Sequence, residues 1–155
     1  MKLAEALVQR KAVKDKLERL KRRLHDNAKV QEGDQPNEDP MGLLREVDST
    51  LTELETLTVR INRTNMATAM PDGSGTLMEA IAQRDMLNLK RSVLESLIGA
   101  AGAPRERWAV TRSEIKWRPT VDVAQVQKEI DALAKAYREL DTQIQAVNWT
   151  AELAE

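Results

Sequence analysis

The sequence has no cysteine, no phenylalanine and a single histidine, His25. The lack of cysteine excludes disulfide bonds, thiolate metal sites and cysteine nucleophiles. One histidine is too few for a histidine-rich metal site, and no nucleophile motif accompanies it to form a catalytic triad. Aromatic residues make up only 3% of the chain, so the core has to be aliphatic, which suits a thin helical bundle better than an enzyme cleft. We therefore expect no enzyme activity, no catalytic residue, no metal and no cofactor.

Long apolar runs and targeting segments are also lacking. The longest nearly apolar stretch, Leu97 to Pro104, is far shorter than the roughly 18–20 residues of a transmembrane helix. Residues 1–10 do not show the basic-then-apolar order of a secretory signal. A chain of 155 residues fits one domain, and we expect a single cytoplasmic domain spanning residues 1–155.

Apolar residues at three- and four-residue intervals are the main positive feature, and they predict long amphipathic helices. Loops containing proline and glycine separate the first three helices, and helices of this length joined by short loops fold back on one another. The predicted fold is all-α: an antiparallel bundle of four long coiled-coil-like helices at about residues 2–30, 41–65, 76–101 and 122–147.

Each helix carries an apolar seam, meaning a row of side chains spaced for burial against a neighbouring helix. In the second helix we assign the seam to Leu44, Val47, Leu51, Leu54 and Ile61. The seams of the first and fourth helices consist of Leu3, Ala6, Val13, Leu17, Leu20 and Leu24, and of Val123, Val126, Ile130, Leu133, Tyr137, Leu140, Ile144 and Val147.

The third predicted helix is apolar on two sides, so it needs partners on more than one side. It is therefore either the central helix, a helix between subunits, or both. Met86, Leu89 and Val93 are the expected oligomer contacts. The two stripes consist of Ala82, Met86, Leu89, Val93 and Leu97, and of Leu87, Leu94, Ile98 and Ala101.

Between the third and fourth helices the helical period stops, and apolar and basic residues alternate at about residues 106–118. This alternation predicts a short β-hairpin arm. Trp108 and Trp117 on such an arm are hard to bury in a thin bundle, and tryptophan is enriched at interface hot spots. We expect both to be oligomer contacts, with the alternative that the arm folds over one end of its own bundle.

Basic and acidic segments alternate along the chain. Residues 1–26, 27–58, 59–118 and 119–155 carry net charges of +5, −6, +4 and −4. This pattern predicts that the first helix pairs with the second and the third with the fourth, since flanking charges select partner and register. The overall charge of −1 and the acids within the basic first helix disfavour nucleic-acid binding.

Several polar residues interrupt the predicted apolar faces. They either line an anion or small-ligand site between helices or form a satisfied polar layer that fixes register, which is the more common role of such groups. The members of this candidate polar cluster are Arg10, Asn62, Asn65, Arg84, Asp85 and Arg91.

Short segments along nearly the whole chain resemble the septicolysin-like family of small bacterial helical proteins. The resemblance implies an α-helical, oligomeric bacterial protein, and the family name implies a cytolysin. The segments that carry it are Met1–Leu7, Val30–Asp34, Glu38–Pro40, Arg60–Asn65, Arg84–Asp85, Ser113–Lys116, Tyr137–Asp141 and Asn148–Trp149.

Together these observations predict a homo-oligomeric helical scaffold or interaction protein whose partner is another copy of itself. Two alternatives stay open. One is a membrane-active cytolysin, in which the amphipathic first helix would meet the bilayer. The other is a binder of small anionic ligands at the polar cluster.

Overall fold

The computed structural model describes residues 1–102 and 117–155. This part of the chain contains four helices: α1 (Leu3–Asp26), α2 (Pro40–Ala67), α3 (Leu77–Gly102) and α4 (Val123–Thr150). The prediction of an all-α chain with four long helices is confirmed. In the described residues, β-structure is limited to two isolated antiparallel bridges, Lys2 with Glu152 and Ala69 with Thr76.

The predicted hairpin at 106–118 lies almost entirely outside the described residues. Of its members, only Trp117 and Arg118 are described, and neither is in a strand.

Local polar contacts define where α1 and α2 begin and end. Asp39 precedes Pro40 and accepts hydrogen bonds from the backbone N–H groups of Met41 (3.1 Å) and Gly42 (2.9 Å), which satisfies donors that a helix start leaves free. At the end of α1, the buried Asn27 donates its side-chain amide to the Arg23 carbonyl at 2.9 Å. The same side chain accepts from the Glu38 backbone N–H at 2.9 Å, so one asparagine closes α1 and fixes the following loop.

The chain divides into two compact units. The first contains Met1–Met78 and Gln145–Glu155, and the second contains Glu79–Ile144.

In the first unit α1 packs against α2. The two helices are antiparallel, because Gln9 donates to Glu53 at 3.1 Å whereas Arg23 pairs with Glu46 at 3.7 Å. The basic α1 therefore lies against the acidic α2, as the charge pattern predicts. The α1 seam is confirmed, since its members are buried or half-buried.

The predicted seam of α2 is confirmed at Val47, Leu54 and Ile61 but is wrong by one residue at its other two leucines. Leu44 and Leu51 are 43% and 45% exposed, whereas Leu43, Thr50 and Leu57 are buried. The prediction failed because the buried row includes a threonine, Thr50, which an apolar pattern does not identify. The Thr50 hydroxyl donates to the Glu46 carbonyl at 2.7 Å, so this side chain carries no unsatisfied polar group into the core.

The C-terminal residues close the first unit against both helices. Leu3 N–H donates to the Ala151 carbonyl and Leu153 N–H donates to the Met1 carbonyl, both at 2.9 Å. Arg60 Nε donates to the Ala154 carbonyl at 2.7 Å. Leu153 is buried, so the end of the chain forms part of this core.

In the second unit α3 lies antiparallel to α4, with Arg84 contacting Asp141 and Lys90 contacting Glu129. The α4 seam is confirmed from Val126 onward, because these residues are buried or half-buried, while Val123 at the start of the helix is exposed. Ala80 and Ile130 are among the buried residues of this unit.

Candidate functional site

In the second unit, one face of helix α3 is half-buried and another is exposed. The face toward α4 includes the half-buried residues Arg84, Leu87, Arg91, Leu94 and Ile98. The opposite face, called here the outer face of α3, consists of the exposed residues Ala82, Met86, Leu89, Val93 and Leu97.

Exposure of the outer face is large for apolar side chains. Met86, Leu89 and Val93 are 59%, 59% and 63% exposed. A contiguous exposed apolar surface of this kind typically marks an interaction site. Both predicted apolar stripes of α3 are thus present: Leu87, Leu94 and Ile98 lie with two arginines on the side toward α4, and the other stripe is exposed.

Arg84 lies on the face of α3 toward α4, called here the inner face, and its guanidinium contacts two carboxylates. Its Nε donates to Asp85 Oδ1 at 3.0 Å, and its Nη1 donates to Asp141 Oδ1 at 2.9 Å. Burial lowers the pKa of Arg84, but the hydrogen bonds to Asp85 and then Asp141 outweigh it, so the pKa lies above its ordinary value. The guanidinium is therefore neutralised by residues of its own chain.

Arg91 lies one heptad further along α3. Its Nη2 donates to Asn88 Oδ1 at 2.9 Å, and its Nε is 3.5 Å from Glu95 Oε1. Its guanidinium carbon lies 5.9 Å from the centroid of the Tyr137 ring, within the range of a cation–π contact. The Nε atom is buried and makes no hydrogen bond in the described part of the chain.

The structure divides the candidate polar cluster. Arg10 is half-buried on α1, while Asn62 is exposed and Asn65 half-buried on α2, all in the first unit. Arg84, Asp85 and Arg91 belong to the second unit, where Arg84 and Asp85 are in contact.

Sequence reasoning missed one member of this cluster, Asp141. It follows the seam residue Leu140 on α4 and is half-buried. An acid directly beside a regular apolar seam, with an arginine on the paired helix, is the signal that would have identified it.

The two predicted tryptophan contacts are only partly described. Trp108 lies outside the described residues, and Trp117 is exposed.

Three other features bear on function. Across residues 1–102 and 117–155, no group of three His, Asp or Glu side chains is placed to bind a metal ion. No helix in the same ranges has both the length and the apolarity to cross a bilayer. An open groove of about 580 Å³ in the first unit is lined by Met1 and Leu57 as well as by polar side chains, including Gln9, Glu53 and Arg60.

Comparison with known proteins gives a family and a structural neighbour. Residues 10–153 match the model of a family of unknown function, DUF6847. A crystal structure of a functionally unknown conserved protein from Corynebacterium diphtheriae is similar, with 42% sequence identity and a TM-score of 0.89. The match covers 99% of this chain and 98% of that chain. No curated protein matches the chain.

These matches overturn the resemblance to the septicolysin-like family. The model that covers the chain is that of DUF6847, and the similar crystal structure is described only as a functionally unknown conserved protein. The assignment to the septicolysin-like family was wrong because it depended on short segments rather than on the whole chain. The cytolysin hypothesis loses its basis with it.

Proposed function

The chain belongs to the DUF6847 family of unknown function, and we propose that it acts as a homo-oligomeric helical scaffold that binds a second copy of itself through the outer face of α3. The observation that carries this proposal is the exposure of Met86, Leu89 and Val93 on one side of a helix. Full burial of such a side chain contributes roughly 1.5–3 kcal/mol, and a symmetric contact buries each of them twice.

The charges beside the outer face favour a second copy as its partner. Asp85 and Lys90 border this face on opposite sides. Five residues along an α-helix correspond to a net rotation of about 140° around its axis, which places the two side chains on either side of the apolar row. Asp85 contacts Arg84 and Lys90 contacts Glu129 within the chain, but both side chains remain more than half exposed and so can make a further contact. When two parallel copies meet along the face, Asp85 of one copy lies next to Lys90 of the other, as do the flanking charges of a parallel coiled coil.

The antiparallel arrangement lacks this complementarity. It brings the Asp85 border of one copy against the Asp85 border of the other, and the Lys90 borders likewise. The proposal is therefore a parallel pair related by a two-fold axis, which is the commonest symmetry among homo-oligomers. Trp117, also exposed, is a further candidate contact in the same assembly.

The inner face of α3 supports a polar layer better than a site for anions. A binding site for an anionic ligand needs guanidinium groups that lack their own counter-charges. Arg84 already contacts Asp85 and Asp141, and Arg91 contacts Glu95. We assign these residues the role of fixing the register between α3 and α4.

Multi-angle light scattering on the full chain tests the self-association. We expect the wild type to have a mass above that of one 17.5 kDa chain and Leu89→Glu to have the mass of one chain. The circular dichroism of Leu89→Glu should match that of the wild type, which shows that the variant is folded. Val8→Glu is the matched control, because Val8 is an equally exposed apolar residue on α1. A wild type with the mass of one chain at micromolar concentration would refute the proposal.

A further inference from the structure

A second exposed apolar surface runs along α2 in the first unit. Its two central leucines, Leu44 and Leu51, are 43% and 45% exposed. Acidic and amide side chains, also exposed, lie among the apolar residues. The outer face of α2 consists of Met41, Leu44, Asp48, Leu51, Glu55, Val59, Asn62 and Met66.

The spacing of these residues is that of a helix–helix contact. Leu44, Asp48, Leu51 and Glu55 follow one another at intervals of four, three and four residues, so they lie in one row on the helix. The row repeats a leucine layer and an acidic layer every seven residues. Helix α2 therefore carries two seams: the buried one against α1 and this exposed one.

The acidic layers restrict what fits the exposed seam. A purely apolar partner would bury the carboxylates of Asp48 and Glu55 without a counter-charge, which is strongly unfavourable. In the described part of the chain neither carboxylate takes part in an ion pair, so both are available to a partner.

The same argument disfavours another copy of this chain on the exposed seam. Two outer faces of α2 would place acid against acid in a parallel pair and acid against leucine in an antiparallel pair, in both cases without a counter-charge. The outer face of α3 presents Ala82, Met86, Leu89 and Val93 and is bordered by one lysine, Lys90, which already contacts Glu129, so it has too little positive charge for two acidic layers. Neither of these two faces of a second copy therefore matches the exposed seam.

We propose that the outer face of α2 binds an amphipathic helix of another protein, in which leucine-like residues alternate with lysine or arginine at the contact positions. Positively charged side chains of the partner pair with Asp48 and Glu55, and its apolar residues cover Leu44 and Leu51. From Leu44 to Met66 the face is about 33 Å long at 1.5 Å per residue, so the partner helix has about six turns. This binding is independent of the α3 contact.

Two synthetic helical peptides test the proposal against the full chain by fluorescence anisotropy. Both have about three heptads with leucine at alternate contact positions, and they differ in carrying lysine or glutamate at the others. We expect the lysine peptide to bind at least about tenfold more tightly than the glutamate peptide, and to weaken as salt rises.

Variants locate the binding on α2. We expect Leu44→Ala/Leu51→Ala to weaken the lysine peptide by about tenfold or more, and Asp48→Asn/Glu55→Gln to remove most of its advantage over the glutamate peptide. Leu89→Ala on α3 is the control and should leave peptide binding unchanged. Equal binding of both peptides, or unaltered binding by the α2 variants, would overturn the proposal. Loss of self-association in Leu44→Ala/Leu51→Ala would also overturn it, because the face would then bind a second copy.

Discussion

Arg84 of α3 donates a hydrogen bond to Asp141 of α4, 57 residues away, at 2.9 Å. This contact places a guanidinium on the side of α3 that faces another helix, while the opposite side of α3 presents methionine, leucine and valine to solvent. The side toward α4 also holds Leu87, Leu94 and Ile98, so α3 carries a second apolar stripe of a kind that a helix in a monomer does not normally expose. This stripe is the structural basis for assigning the exposed side to an interface.

The Arg84–Asp141 pair gives a first prediction about stability. Arg84→Met leaves the carboxylates of Asp85 and Asp141 without their counter-charge, so we expect a loss of about 1–3 kcal/mol in the free energy of unfolding. Urea denaturation measures the loss. Adding Asp141→Leu should recover much of it, because an apolar pair of similar size replaces a charged one without a large cost. A fully stable Arg84→Met variant would contradict the role assigned to this residue.

The contact between Lys2 and Glu152 predicts a dependence on pH. The hydrogen bond from Lys2, followed by its charge, lowers the pKa of Glu152 below the ordinary value of 4.5. Because the folded-state pKa is lowered, the stabilisation is fully present above pH 4.5 and is lost as the pH falls through the folded-state pKa. We expect Glu152→Gln to lower the melting temperature at pH 7 and the difference from the wild type to shrink below pH 4.5. A difference that is the same at pH 7 and pH 3 would refute this linkage.

Two buried threonines of α2 predict different results for the same substitution. Thr64 donates to the Arg60 carbonyl at 2.8 Å and accepts from the Ala154 backbone N–H at 2.9 Å, so Thr64→Val should cost about 1–3 kcal/mol by leaving that N–H unpaired. Thr50 bonds only within its own helix, so Thr50→Val leaves no polar group unpaired and should cost less than about 0.5 kcal/mol. Chemical denaturation of both variants decides this, and equal effects would refute the role given to Thr64.

The sequence was sufficient for the helices and for the regular seams. Helix α4 could be predicted because no polar residue interrupts its seam from Val126 to Val147. The α2 seam was mispredicted because Thr50 is a polar residue whose hydroxyl is satisfied within the helix, a property that apolar spacing does not show. Leu44 and Leu51, which have the same seven-residue spacing as Leu43 and Thr50 but lie one residue later, were taken for the buried row.

The candidate site was predictable in part for a similar reason. The two apolar stripes of α3 follow from spacing alone, but which stripe faces α4 depends on where Arg84 finds its counter-charge. That partner, Asp141, is distant in sequence, and pairing at such a distance is set by the packing of α3 against α4 rather than by a local pattern.

Disulfide cross-linking tests most directly the claim that the outer face of α3 binds a second copy in parallel. The chain has no cysteine, so single-cysteine variants report only the position chosen. Ala82 and Leu97 lie near opposite ends of the face, about 22 Å apart on the helix. We predict that Ala82→Cys and Leu97→Cys each form disulfide-linked dimers on mild oxidation, much faster than the exposed control Val8→Cys. Cross-linking of both variants no faster than that of the control would contradict the account, as would dimers that form only when the two variants are mixed.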